Sequence, residues 1–477
     1  MLDVVATRGA TIDLALRIPF HFGNATVRRV PHLLLALDID VDGRRTQGLA
    51  AENLIAPWFV KDRDRSYETG AAEMVETVAT ACRSALDLNP VGSAFALQQA
   101  VSAAQADHYA GTHTPALEYG FGVSMVERAV IDAVCRQNGH SFSDGLQAGE
   151  FGIRPGEIYD ELTGVRPTVA LSEPPLHSVA LRHTVGFTDP LRRTDVPAGD
   201  RVDDGLPHSL ESYIESQGLD HFKVKLSGDV TADVDRLTDV WEVISAVTSP
   251  TVTLDANESY EDAESFRDAW RTIADVDALS EMVGRTAYVE QPLHRDEALT
   301  GATARVFDGW TDRPPVIIDE SDDRDDRLGD ALDVGYAGTS HKNCKGVFRG
   351  VVNACLLEHR RRSGEGRYVM SAEDLTTVGP VGLLQDLAVV SALGFGHVER
   401  NGHHYIHGLA DFPDKQQREI LATHGDLYRP QGVGVPTVDV TDGRIDIGSV
   451  VEAPFGYDFD LDITATPFEQ VRELELA

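Results

Sequence analysis

The sequence predicts an α/β protein: a (β/α)8-type, TIM-like barrel, open to modification, with an α+β domain in front of it. Three observations carry this. The first fifty residues alternate apolar and polar like an antiparallel sheet, the middle of the chain alternates short apolar runs with amphipathic helices, and charged residues stand where those runs end.

From about Val4 to Ala51 the alternation has period two, and Asp42-Gly43 is a hairpin turn following Leu33–Val41. Helical periodicity follows over Ala71–Leu86, Gly92–Tyr109 and Val123–Gln137. Strands then helices make an α+β domain spanning 1–165. Over 166–428 the pattern becomes strand-helix-strand. Eight strand candidates are Ser178–Phe187, His221–Leu226, Thr251–Asp255, Thr286–Glu290, Val316–Asp319, Gly335–Ser340, Tyr368–Ala372 and Gly396–Glu399. Parallel strands need long crossovers, and eight is the number a closed barrel requires. Asp189 to Pro207, rich in Pro, Gly and charge, reads as an inserted loop, and 429–477 as a C-terminal segment returning to the first domain.

At 477 residues and 42% hydrophobic content the chain can bury a large core over more than one domain. No signal-like start and no apolar run of about 18 residues is present, so a soluble, cytoplasmic protein is expected, without membrane contact. Four scattered cysteines, without CxxC spacing, are expected as free thiols. The net charge of -35 excludes phosphate-backbone binding and hence nucleic-acid partners. Acid spread along the whole chain repels itself in dilute buffer, and molar salt, with a Debye length of about 3 Å, screens it. A salt-rich, halophile-type cytoplasm is therefore expected.

Lysine usage narrows the search. Among 42 basic residues six are lysine, and four of those six fall in two clusters, Lys223/Lys225 and Lys342/Lys345. Arginine serves elsewhere, so these positions call for an amine that can lose its proton. His221-Phe-Lys223-Val-Lys225 puts both amines on one face of a strand. The following strands end in Asp255-Ala-Asn257, Glu290-Gln-Pro292 and Asp319-Glu320-Ser321, at intervals of 30, 35 and 29 residues. Each interval is about one βα unit, so the strand ends ring one barrel mouth. A lone acid at a strand end is more often a helix cap. Three of them after a paired-lysine strand call for a hard divalent cation, since converging carboxylates do not all stay ionised unaided.

In this order and spacing, Lys223-x-Lys225, Asp255-x-Asn257, Glu290-Gln-Pro292 and Asp319-Glu320-Ser321 resemble the motif series of the enolase superfamily, closest to the muconate-lactonizing branch of the mandelate racemase/muconate lactonizing enzyme family. Arg17-Ile-Pro-Phe-His-Phe-Gly23 is similar to that family's first specificity loop. Met125-Val-Glu-Arg-Ala-Val-Ile-Asp132 is similar to the helix closing its N-terminal capping domain. The resemblance implies that Asp255, Glu290 and Asp319 bind Mg²⁺, or Mn²⁺ in its place. It implies Lys225 as base on one face of a small carboxylate-bearing substrate, with Lys223 beside it lowering its pKa, and a homo-oligomeric enzyme. Loss of the α-proton through a metal-stabilised enediolate then leads to racemisation or epimerisation, cycloisomerisation, or β-elimination.

On the opposite face the family keeps a lysine some five residues before a Gly-Gly pair. Here Ser340-His-Lys342-Asn-Cys-Lys345-Gly346 offers two lysines and one glycine, and counting back from Gly346 lands near Ser340. Lys342, on the strand face of Ser340, is the assignment, with Lys345 the alternate or a substrate-binding group. Glu320, Asn257 and Glu373 are further candidate acids or substrate contacts. Phe20 and His21 either cover the substrate, if the first domain lids the barrel, or are ordinary hairpin residues. Tyr368-Val-Met-Ser-Ala-Glu-Asp374 lacks the histidine of the mandelate racemase branch, and His397, His403, His404 and His407 read as a loop near the eighth strand rather than a metal cluster. Two other classes stay open: a metal-dependent barrel hydrolase, which leaves the paired lysines without a task, and a non-catalytic barrel.

Overall fold

The computed structural model describes residues 1–22, 25–62, 64–88, 90–364, 366–461, 463 and 472–474. The chain opens with a meander of β1 (Leu2–Phe22), β2 (Ala25–Val41) and β3 (Arg44–Asn53), all antiparallel. Asp42 and Gly43 both take positive φ, 49° and 81°, as the two-residue hairpin turn demands. Leu33 through Leu37 are all buried, so β2 is covered on both faces. Helices Tyr67–Asp87, Ala94–Tyr109 and Ala116–Asn138 follow. The last of these packs so tightly on β3 that a Cβ on Gly48 would lie 1.8 Å from the Ala129 carbonyl oxygen. Strand Arg472–Leu474 adds to the outer edge of β1.

The second part is a ring of parallel strands: β4 (Ser178–Val185), β5 (His221–Lys225), β6 (Thr251–Asp255), β7 (Thr286–Glu290), β8 (Val316–Ile318), β9 (Gly338–His341), β10 (Val369–Ala372) and β11 (His397–Glu399). The hydrogen-bonded order runs β11-β4-β5-β6-β7-β8-β9-β10, and the two ends, β10 and β11, lie against each other. All eight predicted strands are present. The sixth starts three residues later than its apolar run suggested, because Gly335 ends the preceding helix in a left-handed conformation. The barrel thus follows an N-terminal α+β domain, as expected. Strand Arg444–Asp446, from the C-terminal stretch, pairs antiparallel with β4.

Strand alternation sorts the side chains. On β5, Phe222 and Val224 are buried beneath the helices, while Lys223 and Lys225 share the inner face. Arg182, fully buried inside the ring, ties β4 to β10 and β11. It donates to Ser371 Oγ (2.7 Å), the Ala372 carbonyl (3.2 Å) and Glu373 Oε1 (2.8 Å), and contacts His397 Nδ1 at 2.6 Å. The Tyr288 hydroxyl donates to the same Ser371 Oγ at 2.7 Å. A layer of hydrogen-bonded polar groups therefore underlies the strand ends. Among the described residues no helix is long and apolar enough to cross a membrane.

The Met125–Asp132 motif locks the two parts together. Glu127 accepts from the backbone N–H groups of Val347 and Phe348, at 2.9 and 2.8 Å, capping the helix Val347–Ser363 of the barrel. Arg128 pairs with Glu52 at 3.1 Å, and Asp132 accepts from the Leu49 N–H at 2.8 Å. From β1, Arg17 forms a buried ion pair with Asp204 at 2.6 Å and donates to the His404 carbonyl at 3.0 Å, tying the 189–207 insertion to the first sheet. The Phe20 and His21 side chains lie outside the described residues.

Candidate active site

The C-terminal ends of β5 to β11 gather amines and acids at one mouth. Lys223 Nζ lies 3.0 Å from Asp255 Oδ2, 2.9 Å from Glu290 Oε2, and 2.8 Å from both Glu373 Oε2 and Glu399 Oε2. Lys342 Nζ lies 2.6 Å from Asp319 Oδ1 and 2.8 Å from the same Glu373 oxygen. Lys225 donates to Asp255 Oδ2 and Asn257 Oδ1, both at 2.6 Å. Lys345 sits behind Lys342, donating to the Ser340 carbonyl at 2.6 Å and approaching Asp319 Oδ1 at 3.2 Å. Ser340 Oγ also donates to Asp319.

The sequence-predicted residues Lys223, Lys225, Asp255, Asn257, Glu290, Asp319, Glu320, Lys342, Lys345 and Glu373 thus belong to one site. β5 and β9, the strands behind the two lysine clusters, are the second and sixth of eight, opposite one another across the ring. Lys225 is the most accessible barrel amine: its side chain is 23% exposed, against 2% for Lys223 and 5% for Lys342.

Sequence reasoning missed several members. Glu399 ends β11 as the other acids end theirs, the same signal left unread. Trp58 and Lys61 come from the first domain. The Trp58 ring lies 5.1 Å from Lys342 Nζ, within cation–π range. Lys61 pairs with Glu258 at 2.8 Å, reaches Glu320 at 3.6 Å and donates to the Asn257 carbonyl. Five of the six lysines therefore line this mouth, and Lys415 alone stands on the open surface.

The electrostatics follow from this mixing. Burial disfavours the charged amine of Lys223, but Asp255, Glu290, Glu373 and Glu399 outweigh it and hold the amine well above the usual range. For Lys225, burial and Lys223 both lower the value, yet Asp255 prevails and it too is raised. The expected lowering of Lys225 by its neighbour is thus overridden by the paired acid. Glu290 is pushed well up by burial and by the surrounding carboxylates. Burial, with Asp319 close by, lifts Glu320 to about 7.

Glu258 behaves oppositely. Burial opposes its charge, but the Arg295 fork and Lys61 overcome that and hold it at about 2 against an ordinary 4.5. Its ionisation therefore adds stability that is fully present above about pH 4.5 and lost as pH falls toward 2. Melting temperatures of wild type and Glu258→Gln should differ near neutrality and converge toward pH 2. An unchanged gap across that range would remove this ion pair as a source of acid lability.

A divalent ion suits part of the cluster. Single carboxylate oxygens of Glu290, Asp319 and Glu373 lie within 4.8 Å of one another. An all-oxygen donor set of this kind matches a hard cation. Asp255, the register partner of Glu290 on the next strand, turns one oxygen to Lys223 and Lys225 and accepts the Asn257 N–H on the other at 3.0 Å. The histidines divide: His397 contacts Arg182, while His403 and His404 stand in the short helix Gly402–Tyr405 near Tyr213.

No family model matches this sequence, and no curated protein matches it by sequence. Solved structures do match by shape. An "unknown member of enolase superfamily" from Enterococcus faecalis V583 aligns over 100% of both chains with a TM-score of 0.59 and 13% identity. A mandelate racemase/muconate lactonizing protein from Herpetosiphon aurantiacus covers 96% of this chain and 99% of its own, with a TM-score of 0.58 and 16% identity. A dipeptide epimerase from Cytophaga hutchinsonii, solved with Mg and the dipeptide D-Ala-L-Val, covers 99% of each chain with a TM-score of 0.56 and 14% identity. Matched over 96–100% of its length at TM-scores of 0.56 to 0.59, the chain has the fold of the enolase superfamily.

Proposed function

We propose that this chain is a Mg²⁺-dependent isomerase or lyase that moves the proton on the carbon next to a carboxylate. The observation that carries the proposal is the placement of two lysine clusters on opposite strands of one ring, with a carboxylate cluster between them. A carbon acid held across such a mouth meets an amine on either side. Lys225, the accessible one, takes or returns the α-proton on one face, and Lys342 serves the other. Trp58 and Lys61 close the mouth from the first domain, and Asn257 orients the Lys225 amine. Glu290 and Asp319, with Glu373 or Asp255, would hold the ion, which would supply positive charge beside the substrate's carboxylate. Racemisation, epimerisation, cycloisomerisation and β-elimination all use this first step. The Mg-bound dipeptide complex of the Cytophaga epimerase supports a small carboxylate-bearing substrate.

The test is a screen of dipeptides, N-acyl amino acids and acid sugars in D₂O, with Mg²⁺ and at high salt, read as α-deuterium incorporation. Exchange on at least one compound, lost with EDTA and restored by Mg²⁺, is expected. A binding-only barrel is the second reading, favoured by the fact that each barrel amine already has an acid partner. Mg²⁺ binding with no exchange anywhere in the library would select it.

A further inference from the structure

The two amines that face each other across the mouth are not equally open. Lys342 is 5% exposed: its amine meets Asp319 at 2.6 Å, Glu373 at 2.8 Å and the Trp58 ring at 5.1 Å. Lys225 is 23% exposed. Trp58 belongs to the first domain, in the short helix Ala56–Phe59, and two barrel residues tie that segment down. Arg295, after β7, donates from Nη1 to the Phe59 carbonyl at 2.9 Å. Glu258, after β6, fixes the rest of the guanidinium, accepting Nε on Oε1 at 2.8 Å and Nη2 on Oε2 at 3.0 Å. The same Oε2 pairs with Lys61 at 2.8 Å. The segment carrying Trp58 is therefore held at Phe59 and again at Lys61.

The backbone at Glu258 is out of the ordinary. It takes φ 68°, directly after Asn257 at 42°, left-handed values that non-glycine residues seldom adopt and keep only where surrounding contacts fix them. An ion pair that served domain docking alone could sit anywhere along the boundary, whereas this one holds the segment whose indole lies on a lysine of the mouth. An aromatic face within about 6 Å attracts an ammonium and shuts out water and other partners from that side. We infer that Glu258 and Arg295 are positioning residues: they seat Trp58 over Lys342 and so make the two faces of the site unequal, Lys225 open to substrate and Lys342 reached only when the indole moves aside. The stereochemical consequence rests on the proton-transfer reading above. Exchange at the Lys225 face, with retention of configuration, outruns inversion, which needs both amines.

With six lysines in the chain, the cover can be measured amine by amine. Acetic anhydride labelling of the full chain, read by peptide mass spectrometry and scaled to the exposed Lys415, needs no substrate. In wild type Lys225 should label well ahead of Lys342. Arg295→Met should speed Lys342 labelling about tenfold, the equivalent of one hydrogen bond to a charged group, and Trp58→Ala at least as much. Lys223, 2% exposed, should stay slow. Fast Lys223 labelling in Arg295→Met would show a loosened fold, and Lys61→Met, which leaves Glu258 its Arg295 fork, then decides by the same comparison. Lys342 labelling as fast as Lys225 in wild type, or unchanged in the variants, would overturn the cover. On any compound that wild type exchanges, α-deuterium incorporation should outrun inversion, and its lead should shrink in Arg295→Met. An unchanged lead with Lys342 freed would overturn the stereochemical role. Absence of exchange on every compound would remove the proton-transfer reading instead, and the labelling would still decide the cover.

Discussion

Lys225→Ala should lower α-deuterium incorporation by about 10²- to 10⁴-fold on whichever carboxylate the wild type exchanges, the range general acid–base groups supply. The fold should survive. Lys225 is the least buried barrel amine, and its removal leaves Asp255 still paired with Lys223 at 3.0 Å, so no carboxylate is stranded. Its position is set by the two acceptors at 2.6 Å, one of them Asn257, whose own backbone is held at φ 42°, a left-handed conformation that Asn tolerates better than most residues. Lys225→Arg keeps the charge but cannot deliver a neutral base, and should be as inactive as the alanine variant. Lys415→Ala, on the open surface, should exchange like wild type. Exchange at the wild-type rate in Lys225→Ala would strike Lys225 from the mechanism.

The parts of this picture that could be read in the sequence are those fixed by local repetition. Strand ends recur at about one βα unit, so Lys225, Asp255, Glu290 and Asp319 could be placed on one rim by counting. The helix motif at Met125–Asp132 was recognisable, but its work was not. That Glu127 caps a helix more than 200 residues away depends on how two domains dock, which no local pattern encodes. Lys61 and Trp58 were hidden for the same reason. Arg182 was hidden because one arginine within an apolar strand carries no periodic signal, although its buried guanidinium bridges three strands.

The inference that converging acids need a divalent ion was also incomplete. Beside the acids of three strands, the structure sets the lysines of β5 and β9 and the further acids Glu373 and Glu399 at ion-pair distance from one another. Around Lys223 alone four carboxylates converge, and each of the barrel lysines has at least one acid partner. The cluster can therefore be assembled by its own cations. The oxygen triad of Glu290, Asp319 and Glu373 remains a fitting place for a hard ion. The amine network and this oxygen triad thus share carboxylates, and Glu373, like Asp319, belongs to both.

Glu373→Gln should cost about 3–5 kcal/mol of stability at neutral pH, the usual penalty for stripping the partner from buried charges. One Glu373 oxygen accepts from Lys223 and Lys342, each at 2.8 Å, and the other from Arg182 and Ser371, each also at 2.8 Å. Donors therefore surround both oxygens. Whichever way a glutamine amide turns, its NH₂ faces a donor and a hydrogen bond becomes a repulsion. Three buried cations lose a counter-charge, and Arg182 loses the acid within its hydrogen-bonding reach. Burial works against the Glu373 charge, yet Lys223, Lys342 and Arg182 hold it well below the carboxylate range, so the wild-type group is ionised wherever the protein is folded near neutrality. Urea unfolding of the metal-free protein measures the loss without a bound ion contributing. Adding Lys342→Met to Glu373→Gln removes one stranded cation and should recover part of the stability, whereas Lys342→Met alone should be destabilising because it strands acids instead. If Glu373→Gln unfolds at the wild-type urea midpoint, the buried amines do not depend on this carboxylate and the cluster is not held together by its own charges.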